Sequence, residues 1–570
     1  MPTRSGRSLA ASVVLPLAAL VAILPMLVRG PSCGHDFDFH LLSWLEAANQ
    51  FAHLGYPHWA YTPAWNAGEP RFIFYPPISW TLGAFLGLVL PWNAVPTAFT
   101  WIALTLSGLT MYRLAVRYAS PAAALIAATL YLANPYMLFT AYDRTAYGEL
   151  LAAAWLPLLF AAALAPHVKI LPIAIPLALL WLTNAPAAVM SSYALAFLTL
   201  IRLLRPPTPY SLLPVPSRLR LALNTISGTA LGLALAAFYI VPAAYERRYV
   251  QVNLAVTAGM RVSDHFLFHR MPGNTFDDRF HDIVVHTASV VALTLLAAIA
   301  VAALAAWRSR PTTDCSLSTT HYPLFLLTLL IAFLLTPPSL ILWNHIPQLA
   351  FLQFPWRLSA ILGVILALLT AIALNRLKPP FSIPYSLIPI PCLFLAAALV
   401  YPSWHNFHQR CFPEDTIPAR VALFHSNLGT DPTDEYTPIG ADGDALQPGD
   451  PPWWLIPATA SADINVTPPH PQPGPAPNHL ALTLPAAEYL VLNRRQYPVW
   501  HITLNGKPIA PIPHKRTDGL ITVLLPAGPD TVDLTLTHTP DQTIGLTLSL
   551  CALMVTIGIR KPHPPPAEIS

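Results

Sequence analysis

The chain has 570 residues, 54% of them hydrophobic and only 10% charged, and its mean hydropathy is +0.51. Soluble globular chains carry about 25% charged residues, so this is a membrane protein, and a conventional cytosolic enzyme or a nucleic-acid-binding protein is excluded. The net charge of +4 says little as a total; its distribution along the chain says more.

The first apolar run, Leu9 to Val28, follows Arg4 and Arg7 as a signal peptide would. Its flank, Val28-Arg29-Gly30-Pro31-Ser32-Cys33, lacks a small-residue cleavage pattern, so the run is expected to stay as an anchor. Further spans are predicted at Val95 to Tyr112, Ala122 to Phe139, Leu150 to Leu164, Ile170 to Leu182, Ala187 to Leu204 and Leu221 to Val241. Val284 to Trp307, Tyr322 to Leu342, Leu358 to Leu374, Ser386 to Tyr401 and Thr543 to Ile559 bring the expected number to twelve. Many of the 63 prolines sit in or beside these runs and read as helix ends and kinks.

The run Ile78 to Leu90 has 13 residues, well short of the ~20 a crossing needs. If it lies on or dips into the outer face, all the short basic connections fall on the cytoplasmic side, as the positive-inside rule prefers. Those are Arg4 and Arg7, Arg113 and Arg117, Lys169, Arg202 and Arg205, Arg218 and Arg220, Arg308 and Arg310, Arg376 and Lys378, and Arg560 and Lys561. The outer face then receives the first loop (Arg29 to Ala94), the turn around Asp143, the loop Pro242 to Asp282 and a tail, Pro402 to Gln542. The expected plan is a membrane domain over 1–401, a mainly β extracytoplasmic domain over 402–542, and a last span with a short cytoplasmic tail over 543–570.

In the tail, Leu480 to Leu484, Tyr489 to Asn493, Trp500 to Leu504, Ile521 to Leu525 and Thr531 to Thr537 alternate with period two, and Asn505-Gly506 signals a hairpin. A small sandwich is predicted, with Thr467 to Asn478 as a Pro-rich surface connection. Of Cys33, Cys315, Cys392, Cys411 and Cys551, only Cys33 and Cys411 are placed outside. Two unrelated cysteines is the default reading and a bridge from first loop to tail the alternative.

Four polar islands sit at the outer ends of spans. Gly34-His35-Asp36-Phe37-Asp38-Phe39-His40 begins a segment whose Phe37, Phe39, Leu41, Leu42 and Leu45 suit a helix along the membrane surface. Its carboxylates suit a general base at the bilayer boundary; the alternative is a hydrated loop with a helix-capping Asp. His35, Asp36, Asp38 and His40 are also candidate metal ligands, though their spacing matches no standard motif. The second island, Trp65 to Pro77, holds Arg71 and Tyr75; Arg71 could bind a lipid phosphate or snorkel to it. The third, Tyr142 to Glu149, holds Arg144 and Glu149, functional candidates by their depth or simply an ion pair. In the fourth, Phe354-Pro355-Trp356-Arg357, a guanidinium beside an aromatic suits phosphate, and Glu246 emerges at the same boundary.

These pieces resemble the bacterial 6-pyruvoyl-tetrahydropterin-synthase-related membrane proteins, close to YfhO-type proteins of the GT-C glycosyltransferase superfamily. The resemblance rests on Gly34-His35-Asp36 with Phe39-His40, Trp65 to Pro77, Asn134-Pro135-Tyr136, Arg144 to Glu149, Pro242 to Glu246, Phe354 to Arg357 and Asp434 to Pro438. In the tail it adds Tyr497 to Lys507 and Leu525 to Gly528. It implies a GT-C-like fold in a bacterial inner membrane, where the distribution of basic residues above places both termini on the cytoplasmic side. It also implies inverting transfer of a sugar from a polyprenyl-phosphate carrier to an envelope glycan, lipid or polymer. Asp36 would be the catalytic carboxylate of the first outer loop, acting as general base, with Asp38 as the alternative, and His40, Arg71, Tyr75, Arg144, Glu149, Glu246 and Arg357 would bind substrate. No pterin is implied, and a divalent metal stays open. The competing classes are a non-catalytic transporter or scaffold for envelope lipid or polysaccharide, and a membrane-anchored carbohydrate-binding module.

Overall fold

The computed structural model describes residues 4–204, 215–308, 318–376, 387–459, 473–512 and 516–560. Arg205, Arg310, Cys315, Lys378, Ser386, Lys561 and residues 467–472 of the Pro-rich connection lie outside the described residues. Six described helices are long and apolar enough to cross a membrane: Trp92–Ala115, Pro121–Tyr142, Ala185–Leu204, Phe276–Arg308, Pro355–Arg376 and Pro540–Ile559. Two bent pairs, Arg218–Leu235 with Ala237–Tyr249 and Tyr322–Leu334 with Pro337–His345, raise this to eight, against the twelve expected. Of the four expected runs not among them, two form helices that are too short, Ile170–Thr183 with 14 residues and Pro389–Leu399 with 11, and two are broken. The first run divides at Ile23 into Arg4–Ala22 and Leu24–Arg29, ahead of Pro25, and the run expected at Leu150 to Leu164 divides into Tyr147–Ala152 and Leu156–Ala163, ahead of Pro157. The run at Ile78 to Leu90 is the 13-residue helix Pro77–Val89, about 20 Å long at 1.5 Å per residue and too short for a ~30 Å hydrocarbon layer.

Asparagine and proline together set the element that leads to the polar cluster. The Asn134 side chain accepts from the backbone N–H groups of Tyr136 (3.0 Å) and Met137 (3.2 Å), with Pro135 at the first helical position, and this cap starts helix Pro135–Tyr142. That helix ends at Asp143-Arg144. Helix Phe37–Ala52 forms where the polar-aromatic island predicts a helix, and other elements pack on it: Trp44 stacks on Phe99 (5.1 Å between ring centroids) and is packed against Gly83, while Phe51 stacks on Phe85.

After residue 450 the chain turns to β structure. Strands β1 (Trp453–Pro457), β3 (Glu488–Arg495) and β6 (Leu520–Leu525) form one antiparallel sheet in the order β1-β3-β6. Strands β2 (His479–Leu484), β7 (Gly528–Leu536), β4 (Trp500–Leu504) and β5 (Lys507–Ile509) form the other in that order. The five runs read from alternation are β2, β3, β4, β6 and β7; β1 and β5 are short and contain or abut proline, which masks them in a sequence. Asn505 (φ 51°) and Gly506 (φ 74°) make the β4–β5 hairpin turn, whose two positive φ angles suit this pair. Inner residues of both sheets, Leu490, Leu492, Ile502, Ile521, Val523, Val532 and Leu534, share one core, and Trp59, Ile73 and Val250 from the two long loops complete it.

The loops and the tail are joined covalently as well. Cys33 and Cys411 form a disulfide (Cα–Cα 4.9 Å), so the default reading of two unrelated cysteines is overturned. A native bridge typically contributes about 2–4 kcal/mol. Cys411→Ser is therefore expected to lower the thermal unfolding midpoint, and in the native protein both thiols should resist alkylation until reductant is added.

Candidate functional site

The first loop reaches the cluster through a close backbone approach. The amides of His35 and Asp36 donate to the carbonyls of Asp143 (3.3 Å) and Arg144 (2.9 Å), and a Cβ on Gly34 would stand 2.1 Å from the Asp143 carbonyl oxygen. Only glycine allows that approach. Asp36 occupies the N-cap position of helix Phe37–Ala52, yet its carboxylate makes no capping hydrogen bond. Instead it lies 3.6 Å from Arg144 Nη2, with its side chain 42% exposed.

Behind Asp36 the charges are buried and shared. Arg144 Nη1 is 2.6 Å from Glu149 Oε2, and Arg357 Nε is 3.3 Å from the same oxygen; the Tyr136 hydroxyl donates to Glu149 Oε1. The Arg144 guanidinium lies 4.7 Å over the Trp356 ring and that of Arg357 4.5 Å over the Phe354 ring, the two rings being stacked on each other. Arg357 Nη1 also donates to the Leu352 carbonyl at 2.8 Å. Two guanidiniums thus face one buried carboxylate, and Asp36 is the accessible group that balances the second. Thr145, next to Arg144, is fully buried at φ 48°, a left-handed conformation that costs a β-branched residue energy and is held by the surrounding packing.

The remaining candidates are placed as follows. His40 is buried one turn after Asp36, its Nε2 3.4 Å from the Tyr75 hydroxyl and its ring edge-on to Tyr147; burial pushes it down to about 4, so the imidazole is neutral. Asp38 is held by Arg420, whose Nε donates to Oδ1 at 2.9 Å and whose Nη2 reaches Oδ2; burial pushes this carboxyl upward against the pull of Arg420. Arg71 is buried between Glu69 (2.8 Å), Ser43 (3.1 Å) and Thr433 (3.3 Å), over the Phe39 ring, and so fastens the first loop to the tail. Glu246 accepts from Tyr497 (2.8 Å), Thr539 (3.2 Å) and Gln542 (2.9 Å), joining its helix to the β region rather than to the cluster. The His35 ring packs on Phe280 at 4.8 Å. Among the described residues no three His, Cys, Asp or Glu side chains gather as a metal would require, and His35, Asp36, Asp38 and His40 each have the separate partners above.

Structure therefore brings Asp36, Arg144, Glu149 and Arg357 together, with His40 and Tyr75 alongside, and leaves Arg71 and Glu246 in neighbouring polar networks. Tyr136, Arg420 and Gln409 are not apparent as partners from sequence. Gln409 donates to Asp143, and nothing local in the tail sequence marks either tail residue. Burial raises Asp143 to about 6, against that hydrogen bond.

No protein-family model and no curated protein matches the chain. Among solved structures, the chain is similar to a cryo-EM structure of the arabinofuranosyltransferase AftD from Mycobacteria, at 15% identity and a TM-score of 0.45 over 94% of this chain and 40% of that one. Two structures of a mutant of the same protein give 17% identity each, with TM-scores of 0.42 and 0.41, over 71% and 70% of this chain and 28% of theirs. The chain thus spans less than half the length of the protein it is similar to.

Proposed function

We propose that this is a membrane glycosyltransferase that moves a sugar from a polyprenyl-phosphate-linked donor to a hydroxyl of an envelope glycan, lipid or polymer, with inversion. The observation that carries the reading is Asp36: a half-exposed carboxylate, not used as a helix cap, 3.6 Å from a buried guanidinium that shares Glu149 with a second one. A donor phosphate entering this site competes with Asp36 for Arg144, and the freed carboxylate can then take the acceptor proton. The acceptor oxygen forms its bond to the anomeric carbon, the bond from that carbon to the phosphate oxygen breaks, and the electron pair leaves on the lipid phosphate. Arg144 and Arg357 stabilise that charge from fixed positions. Neutral His40 and Tyr75 can hydrogen-bond sugar hydroxyls beside them. In this reading the site and the β region face outward from a bacterial inner membrane and both termini face the cytoplasm.

The test is lipid-linked sugar turnover in membranes carrying Asp36→Asn or Arg357→Ala. Turnover unchanged in both variants overturns the proposal. The second reading, a transporter or scaffold for envelope lipid or polysaccharide, draws on the two apolar helix pairs bent by 75° and 97°, since broken helices are a transporter device. It predicts lipid or glycan movement without bond cleavage in either variant.

A further inference from the structure

A cleft of about 690 Å³ opens beside the Cys33–Cys411 disulfide, with Cys411 in its lining. Pro31 and Arg410 line it, while their chain neighbours Ser32 and Gln409 bond to Tyr142 and Asp143. It is therefore separate from the Asp36 cluster. Its polar lining is Arg29, Asn93, His408, Arg410 and Thr416, and no carboxylate lines it. The nearest acids in the chain behave differently: Asp415 is paired with Arg420 at 2.6 Å, and Glu414 is exposed.

Two arginines and a histidine line the cleft together. Arg29 Nη1 donates to the Trp404 carbonyl at 2.5 Å and its guanidinium lies 4.6 Å over the Trp404 ring, which fixes the group while using one of five donors. Arg410 is exposed and makes no ion pair among the described residues. His408 is held through Nε2 by the Gly30 carbonyl at 3.0 Å. The elements that supply these residues end in exposed apolar side chains: Leu27 and Val28 precede Arg29, Val89 precedes Asn93 by one short turn, and Tyr401 precedes Trp404. Two guanidiniums beside exposed apolar side chains suit a headgroup whose phosphate carries acyl chains rather than a freely soluble anion.

We propose that this cleft binds the phosphate headgroup of a membrane phospholipid. The proposal is independent of the sugar-transfer reading, because its readout is lipid retention and not turnover. The full chain, purified and delipidated in detergent, is titrated with phosphatidylglycerol and, separately, with diacylglycerol of the same acyl chains, and bound lipid is counted by native mass spectrometry. Phosphatidylglycerol is expected to bind about ten-fold more tightly than diacylglycerol. The double variant Arg29→Gln with Arg410→Gln, and separately Asn93→Asp, which adds a repelling charge while keeping both arginines, should each lose about ten-fold in phosphatidylglycerol affinity. Resistance of Cys33 and Cys411 to alkylation reports that each variant keeps its fold; should the double variant lose it, Asn93→Asp decides. Equal binding of the two lipids, or wild-type affinity in the folded variants, overturns the proposal. Displacement of the lipid by inorganic phosphate at equal concentration overturns it too, in favour of a soluble-anion site.

Discussion

Asp36→Asn is expected to lower lipid-linked sugar turnover by about 10²- to 10⁴-fold, the usual contribution of a positioned general base, whereas Asp38→Asn leaves most of it. The two acids stand two residues apart with similar side-chain exposure, 42% and 38%, so access does not separate them. Their partners do. Asp38 is held at both oxygens by Arg420, which also binds Asp415, and its loss loosens the short helix Ile417–His425 from the first loop. Asp36 has one longer contact to Arg144, a cation that a phosphate can claim. The measurement is turnover together with thermal stability for both variants. The expected pattern is a large loss of rate with a small loss of stability for Asp36→Asn, and a larger loss of stability with the rate mostly kept for Asp38→Asn. The reverse pattern would assign the chemistry to Asp38.

Glu149→Gln should be the most damaging single change in the membrane part. The carboxylate is 4% exposed and serves Arg144, Arg357 and Tyr136 at once. Removing it leaves two buried guanidiniums with only the more distant Asp36 for compensation, and uncompensated buried charge costs about 3–5 kcal/mol. A drop in the thermal midpoint and in the yield of folded protein is expected. Glu149→Asp should recover part of it, because the charge returns although the reach is shorter. A Gln variant as stable as wild type would mean that the cluster is hydrated and that the two arginines do not depend on Glu149.

What could be read from sequence follows the range of the interactions involved. Strands β2, β3, β4, β6 and β7 announce themselves because inward and outward residues alternate, and Asn505-Gly506 because only certain residues tolerate its backbone. Arg144 and Glu149 were visible as neighbours within one polar island. The distinction between Asp36 and Asp38 was not, since it depends on Arg420, 382 positions from Asp38. The same holds for Glu246, whose polar character was plain but whose partners Tyr497 and Gln542 come from the β region and the last helix. Helix breaks at Ile23 and before Leu156 escape a hydropathy window because the residues on either side are equally apolar.

The Cys33–Cys411 bridge closes a ring of chain with a sequence separation of 378. Both walls of the ring's seam touch the turn that presents Arg144: Ser32 bonds to the Tyr142 carbonyl and Gln409 to Asp143. At synthesis rates of about 5–20 residues per second, Cys33 waits on the order of 20 to 75 s for its partner to be made. During that interval the seam beside Arg144 has no covalent tie, and a thiol left open for that long is exposed to any competing cysteine or oxidant it meets.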